Sequence, residues 1–301
     1  MTAYLNSEHF SIPPKIKRYN ISGKSIAIVT FSWRGKAHVD QSTECQDFTA
    51  YWPTPTKVDD IKSLTLTVAD GVSTRSRSRK GAECACTALG QVFSGASTSI
   101  LNSNQLKDYF TDARDKFVIL CQEDNEQNKT GHKNKDDTQD IKTSSQTLVD
   151  GYLTEYATTA LLLYLNSEGY WAAIVGDGAI YKISSRPDDK VAAQLLTENI
   201  REGFVNEVRP LTNTEWQRGF AESSPGITEY KDSVGFCLMT DGLSESIGDP
   251  NLYFSAIWPK LKQCLDDPVA LEEYATAYCN YWEEHKFSDD DKTLVAVFYN
   301  L

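Results

Sequence analysis

Two periodicities divide the chain. Between Ser25 and Asp70, three short runs, SIAIVTFSW, DFTAYWP and SLTLTVAD, are rich in β-branched and aromatic residues and predict strands. In the third, Leu64, Leu66 and Val68 alternate with polar positions, as a strand with one packed face requires. The period then lengthens. Ala82, Ala85, Cys86, Leu89 and Phe93 share one side of a helix predicted over about 79–93. Leu106, Phe110, Ala113, Phe117 and Leu120 do the same over about 104–124.

Strand character returns in YATTALLLYL and in YWAAIVGDGAIYKIS, the second broken at Gly176-Asp177-Gly178. An Asp-Gly between apolar runs predicts a hairpin, with two antiparallel strands meeting there. VGFCLMT, ending at Asp241-Gly242, and the last run, TLVAVFYN, predict two more strands. Helices are predicted between them over about 252–264 and 269–285. Strands at both ends with paired helices between them, and no regular βαβ alternation, predict one α+β layered domain over 23–301. Residues 1–22 are polar, carry Pro13 and Pro14, and read as a leader lying on the surface or loosely ordered. The stretch QEDNEQNKTGHKNKDDTQD has dense mixed charge without an apolar period, and reads as a polar insertion near 122–145. Residues 199–230 are irregular.

Composition narrows the class. With 42 acidic against 30 basic side chains and a net charge of −12, the 301 residues lack the clustered cations that grip nucleic-acid phosphates. The longest apolar stretch, 160–165, falls far short of the ~20 residues of a membrane span. The N-terminal segment has no apolar core of a secretory signal. A cytoplasmic protein with neither nucleic-acid nor membrane partners is expected. The seven cysteines are scattered and form no CxxC pair; Cys84 and Cys86, two apart on a helix, read as small buried side chains. The four histidines, His9, His38, His132 and His285, lack HxxxH or HExxH spacing, which argues against a zinc hydrolase.

Acidic residues recur at one kind of place. Asp47 precedes a predicted strand, Asp70 and Asp241 end two others and are each followed by glycine, and Asp289-Asp290-Asp291 lead into the last. Glycine lets the backbone turn tightly and bring its carbonyl near a ligand. Carboxylates converging from separate strands repel unless a cation lies between them. Hard divalent ions such as Mg²⁺ and Mn²⁺ take oxygen ligands of this kind. A single Asp-Gly is an ordinary turn; its recurrence at strand ends points to a metal site.

Taken in order, Gln46-Asp47, Val68-Ala69-Asp70-Gly71, Thr158-Thr159, the V-G-D-G-x-x-Y run from Val175 to Tyr181, Thr240-Asp241-Gly242 and the D-D-x-T run from Asp290 to Thr293 form a pattern. It resembles the metal-dependent type 2C protein phosphatases, and more closely their compact bacterial-type branch, over about 25–301. The resemblance implies an αββα sandwich, two antiparallel sheets face to face with helices outside. It implies hydrolysis of phosphoserine and phosphothreonine in proteins by water shared between two Mn²⁺ or Mg²⁺ ions. By the same resemblance Asp70 bridges the ions, the Gly71 carbonyl binds one, and Asp241 with Asp290 completes the second. Asp289 and Asp291 stay open as alternatives to Asp290, because Asp291 stands where asparagine is usual. Asp47 takes an outer-sphere or water-mediated place, and Glu155, ahead of Asp150, is the candidate ligand of a third ion. Asp177 is implied to be structural, bonding the amides of its own turn.

The family's substrate-gripping arginine falls within WRGKAHVDQSTECQD, where Arg34, Lys36 and His38 are the candidates. His38 contacts phosphate, donates a proton to the leaving group, or is a satisfied loop histidine. Arg75, Arg77 and Arg79 attract phosphorylated substrate or line a solvated loop. Residues 199–230 correspond to the family's flap, where Arg201, Arg209 and Arg218 select protein substrates or lie on a plain surface excursion. The implied partner is a phosphorylated protein, a kinase or a kinase target, met by a monomer. The rival reading is an inactive phosphatase-fold scaffold that binds partner proteins; retention of Asp70, Asp241 and Asp290 speaks against it. No Cys-x5-Arg loop is found, Asp70–Thr74 lacks the second aspartate of a DxDxT nucleophile, and Arg18 stands where a P-loop before Gly23-Lys24-Ser25 needs glycine.

Overall fold

A computed structural model describes residues 10–53, 60–95, 102–131, 151–186, 190–197, 209–224, 226–230 and 232–299. In chain order its elements are β1 (Phe10–Ile21), β2 (Lys24–Trp33), α1 (Lys36–Asp40), β3 (Phe48–Trp52), β4 (Asp60–Ile61), β5 (Ser63–Ala69), α2 (Ser78–Ser94) and α3 (Ser103–Gly131). There follow β6 (Ala160–Asn166), β7 (Tyr170–Val175), β8 (Ala179–Ser185), β9 (Val191–Leu195), β10 (Phe220–Glu222) and β11 (Ser233–Met239). The chain closes with α4 (Asp241–Ser244), α5 (Pro250–Gln263), α6 (Pro268–Glu284) and β12 (Lys292–Tyr299). One sheet runs β4-β1-β2-β12-β11-β8-β9, the other β10-β7-β6-β5-β3. Pairing is antiparallel apart from the two-residue contact of β4 with β1.

Side-chain alternation sets the layers. On β2, Ile26 and Ile28 point at the opposing sheet, toward Leu64, Leu66, Leu161 and Leu163, in one cluster with Phe236, Val295 and Val297 of their own sheet. Ala27, Val29, Phe31 and Trp33 point the other way, under α5 and α6. The second sheet packs its outer face, with Leu162, Tyr164 and Trp171, under α2 and α3. Both faces of the central strands are covered, so they read as nearly unbroken apolar runs. The result is the expected four-layer αββα sandwich. Asp249 and Asp267 cap α5 and α6 by accepting from Asn251 N–H (2.8 Å) and Val269 N–H (3.0 Å), each followed by proline at the first helical position. No helix among the described residues is long and apolar enough to cross a membrane.

Four local expectations are corrected. Phe10–Ile21 is no loose leader; it pairs with β2 along its length, with register shifts between Phe10 and Lys15 where Pro13 and Pro14 fall. α3 continues through Gln122–Gly131, the first part of the expected polar insertion, while 132–150 lie outside the described residues. The Gly176-Asp177-Gly178 break joins no hairpin: β7 belongs to one sheet and β8 to the other, so the chain crosses the sandwich there. Both glycines have φ above +90°, which the crossing requires and other residues resist. Within the irregular stretch, 198–208 lie outside the described residues, whereas Phe220–Glu222 extends the second sheet along β7.

Candidate metal centre

Strand register gathers distant acids at one edge of the sandwich. β3 pairs with β5 so that Phe48 lies opposite Ala69, which sets Asp47 beside Asp70. Met239 on β11 faces Ala179 on β8 and Leu294 on β12. Carried past Met239, these ladders bring Asp241 level with Asp177 on one side and with Lys292 on the other. One oxygen from each of Asp70, Asp177 and Asp241 lies within 4.8 Å of the others. A second group of the same span joins His38, Asp290 and Asp291.

Each acid is held from behind. Asp70 N–H donates to Thr159 Oγ1 (3.0 Å), and its carbonyl accepts from Thr159 N–H (2.8 Å) and Thr158 Oγ1 (2.8 Å). The Thr-Thr pair thereby fixes the Asp70-Gly71 turn. Asp47 is wholly buried, and its Oδ2 accepts from Thr240 Oγ1 at 2.8 Å. Thr240 Oγ1 in turn accepts from Thr293 N–H (3.0 Å), and Thr293 Oγ1 lies 2.6 Å from Ser32 Oγ. Asp241 opens α4 directly after β11.

Crowding raises the proton affinity of these groups. Burial, then the charge of Asp291, pushes Asp47 well above the usual carboxylate range. Burial and the charges of Asp47, Asp241 and Asp290 do the same to Asp70. Asp241 is pushed up to about 7 by burial and by Asp177, Asp290 and Glu245. Asp290 is raised by burial, and then by Asp291. Buried Asp47 Oδ1 and Asp241 Oδ1 meet no hydrogen-bond donor among the described residues. Buried anions without donors call for cations. The all-oxygen donor set of Asp70, Asp177 and Asp241 suits Mg²⁺ or Mn²⁺.

A pH dependence follows. The folded state holds protons on these carboxyls that the unfolded chain, titrating near pH 4, has released. Stability of the metal-free protein therefore falls as pH rises from about 4 to about 7, the value reached by Asp241. His38, raised mainly by its bond to Asp291, acts in the same direction. Thermal melts in chelator are expected to show a higher midpoint at pH 5 than at pH 8, with the gap narrowed by Mn²⁺. An equal or reversed gap in chelator would contradict this.

The remaining sequence candidates divide. Of the three consecutive aspartates, Asp290 is the one whose charge is felt at both Asp70 and Asp241. Asp291 is occupied elsewhere, accepting from Gly35 and Gln46 N–H and facing His38. Glu155 joins neither group; half-exposed, it accepts from Ser76 N–H (3.2 Å) and Ser76 Oγ (2.8 Å). Lys36 pairs with Asp40 at the surface, and Arg34 Nη1 reaches only the Thr43 carbonyl at 3.4 Å. The Arg75–Arg79 run is no plain solvated loop. Arg77 binds Asp124 (2.7 Å) and Tyr156 (3.0 Å), and Arg79 donates to the Asp47 carbonyl beneath the Phe48 ring. Arg75 keeps a looser contact, 3.8 Å from Glu155. Arg209 and Arg218 both pair with Glu215, and Arg201 lies outside the described residues. Asp177 is the residue that sequence reading placed outside the site. A 620 Å³ aromatic cleft between α5 and α6, lined by Tyr253, Tyr278 and Trp282, includes none of these acids.

A family model described as protein phosphatase 2C matches residues 34–276, most of the chain, including Asp47, Asp70, Asp177 and Asp241 but not the Asp289–Thr293 turn. The chain belongs to the protein phosphatase 2C family. This places it among the metal-dependent serine/threonine protein phosphatases. Solved structures of that family share its fold. A serine-threonine phosphatase 2C from Toxoplasma gondii is 12% identical, covering 96% of this chain and 100% of its own, at a TM-score of 0.56. The catalytic domain of the serine threonine protein phosphatase PstP, solved with two manganese ions, is 13% identical over 91% of this chain and 98% of its own, at 0.52. Stp1 from Staphylococcus aureus is 13% identical over 90% and 94%, at 0.51. Comparison with curated protein sequences gives no match.

Proposed function

We propose that this edge holds two divalent cations, Mn²⁺ or Mg²⁺, and removes phosphate from phosphoserine and phosphothreonine in proteins. The observation that carries the reading is the convergence of Asp70, Asp177 and Asp241 within 4.8 Å, from two sheets, with the proton affinities of Asp70 and Asp241 raised by burial and by neighbouring carboxylates. The two manganese ions of the PstP domain support the same count here. Asp70 would be shared by both ions, the Gly71 carbonyl would bind one of them, and Asp241 with Asp290 would hold the second, with Asp177 on the Asp241 side. Bound cations of this kind lower the pKa of water and stabilise charge on phosphoryl oxygens.

The chain's own residues supply position. Thr158 and Thr159 keep Asp70 aimed at the edge, and Thr240 and Thr293 keep Asp47 behind it. Arg34 and Arg75, whose present contacts are long, are assigned to draw the phosphate dianion toward the cations. The kinase-linked part of the partner assignment rests on the family alone. Hydrolysis of p-nitrophenyl phosphate and of a phosphothreonine peptide by the full chain tests the reading. Activity is expected with millimolar Mn²⁺ and none in excess chelator. Turnover that survives chelation, or none with either ion, would overturn it.

A further inference from the structure

The excursion from Arg34 to Gln46 is fastened to the turn before β12, and the fastenings converge on one side chain. Asp291 is 1% exposed. Its Oδ1 accepts from Gly35 N–H at 2.7 Å and its Oδ2 from Gln46 N–H at 2.6 Å. His38 Nδ1, on α1 between those amides, lies 2.9 Å from the same Oδ2, and its side chain is only 6% exposed. Around this pair, Ala37 N–H donates to the Asp289 carbonyl (3.0 Å), and buried Lys292 Nζ donates to the Asp290 carbonyl (2.7 Å). The next residue after Gln46 is Asp47, and the residue before Asp291 is Asp290.

We infer that His38 and Asp291 are positioning residues, a buried pair that fastens the 34–46 excursion to the turn before β12 and so holds Asp47 and Asp290 at the metal edge. Neither touches substrate. The inference takes the proposed function for what the edge binds. A buried carboxylate is compensated by two amide donors and an imidazole packed against it; without the ring it keeps only the amides and faces the neighbouring carboxylates. Groups just behind metal ligands set affinity by holding those ligands in place. A ring packed with its Nδ1 2.9 Å from Asp291 Oδ2 is held by that buried contact. The alternative role, proton donation to the leaving oxygen, differs in chemistry. A donor matters most when the leaving alkoxide is poor and little for p-nitrophenolate, whereas misplaced ligands slow every substrate alike.

His38→Phe keeps the ring's bulk and removes both nitrogens; His38→Phe/Asp291→Asn also removes the carboxylate charge. In metal-free protein, the Gly35 and Gln46 amides of the single variant are expected to exchange hydrogen about tenfold faster than in the unaltered chain. By calorimetry its Mn²⁺ affinity is expected to fall about 10- to 100-fold. Its kcat should drop by a similar factor on p-nitrophenyl phosphate and phenyl phosphate, with little change in substrate KM. The double variant should regain part of the Mn²⁺ affinity. Unchanged exchange with unchanged Mn²⁺ affinity, or a loss confined to phenyl phosphate, would overturn the inference. Failure of the unaltered chain to bind Mn²⁺ would instead refute the proposed function, and the exchange comparison would still decide whether the pair fastens the excursion.

Discussion

Asp70→Ala and Asp241→Ala are each expected to lower Mn²⁺-dependent phosphatase activity by at least about a thousandfold, ~4 kcal/mol of barrier. Asp70 stands where both sheets contribute acids, with Asp47, Asp241 and Asp290 all raising its proton affinity. Asp241 has Asp177 and Asp290 as neighbours and a buried Oδ1 without a donor. On the proposed assignment, removing either side chain takes away one oxygen ligand of the cations. It also relieves repulsion, so the metal-free variants should melt above the unaltered protein while losing most of the upward shift that Mn²⁺ gives it. Steady-state rates on p-nitrophenyl phosphate and melts with and without Mn²⁺ give both readings. Near-normal rates in both variants would remove these residues from the chemistry.

Gly242→Ala is expected to damage the site through the backbone. A Cβ at Gly242 would stand 1.9 Å from the Asp291 carbonyl oxygen, and one at Gly35 would stand 2.2 Å from the Asp290 carbonyl carbon. No rotamer change relieves a clash with main chain, so the turn carrying Asp289–Asp291 must move away. Overpacking of this kind costs about 1–3 kcal/mol, and the displaced turn carries Asp290. Urea unfolding should show that loss for Gly242→Ala and Gly35→Ala, together with weakened Mn²⁺ binding. Gly248→Ala, where the added methyl meets nothing within 4 Å, is the matched control and should change neither. Full stability and Mn²⁺ affinity in Gly242→Ala would mean that the turn has slack.

The sequence disclosed most of the sandwich because its central strands are covered on both faces, and the resulting apolar runs are long enough to read. It disclosed the acids at strand ends as a pattern, since Asp-Gly after an apolar run is visible locally. Asp177 was lost for the opposite reason. Nothing local tells whether the strands flanking an Asp-Gly pair with each other or lie in opposed sheets, and only the β8–β11 register sets Asp177 level with Asp241. In β1, Pro13 and Pro14 hid an alternation that the structure absorbs in register shifts. The tail of α3 has no apolar stripe, so its helical form was invisible to periodicity. Arg77 and Arg79 looked like a solvated basic run because their partners, Asp124 and Asp47, stand 47 and 32 residues away in sequence. The sequence leaves the role of His38 open because Asp291, the carboxylate it packs against, lies at the far end of the chain.

Anomalous diffraction from crystals of the full chain grown with Mn²⁺ decides most directly whether this edge is a two-cation site. Two peaks are expected between Asp70, Asp241 and Asp290, a few ångströms apart as bridged metal pairs are, with an Asp70 oxygen on each. A map without peaks among these acids, or with manganese bound only elsewhere, would contradict it.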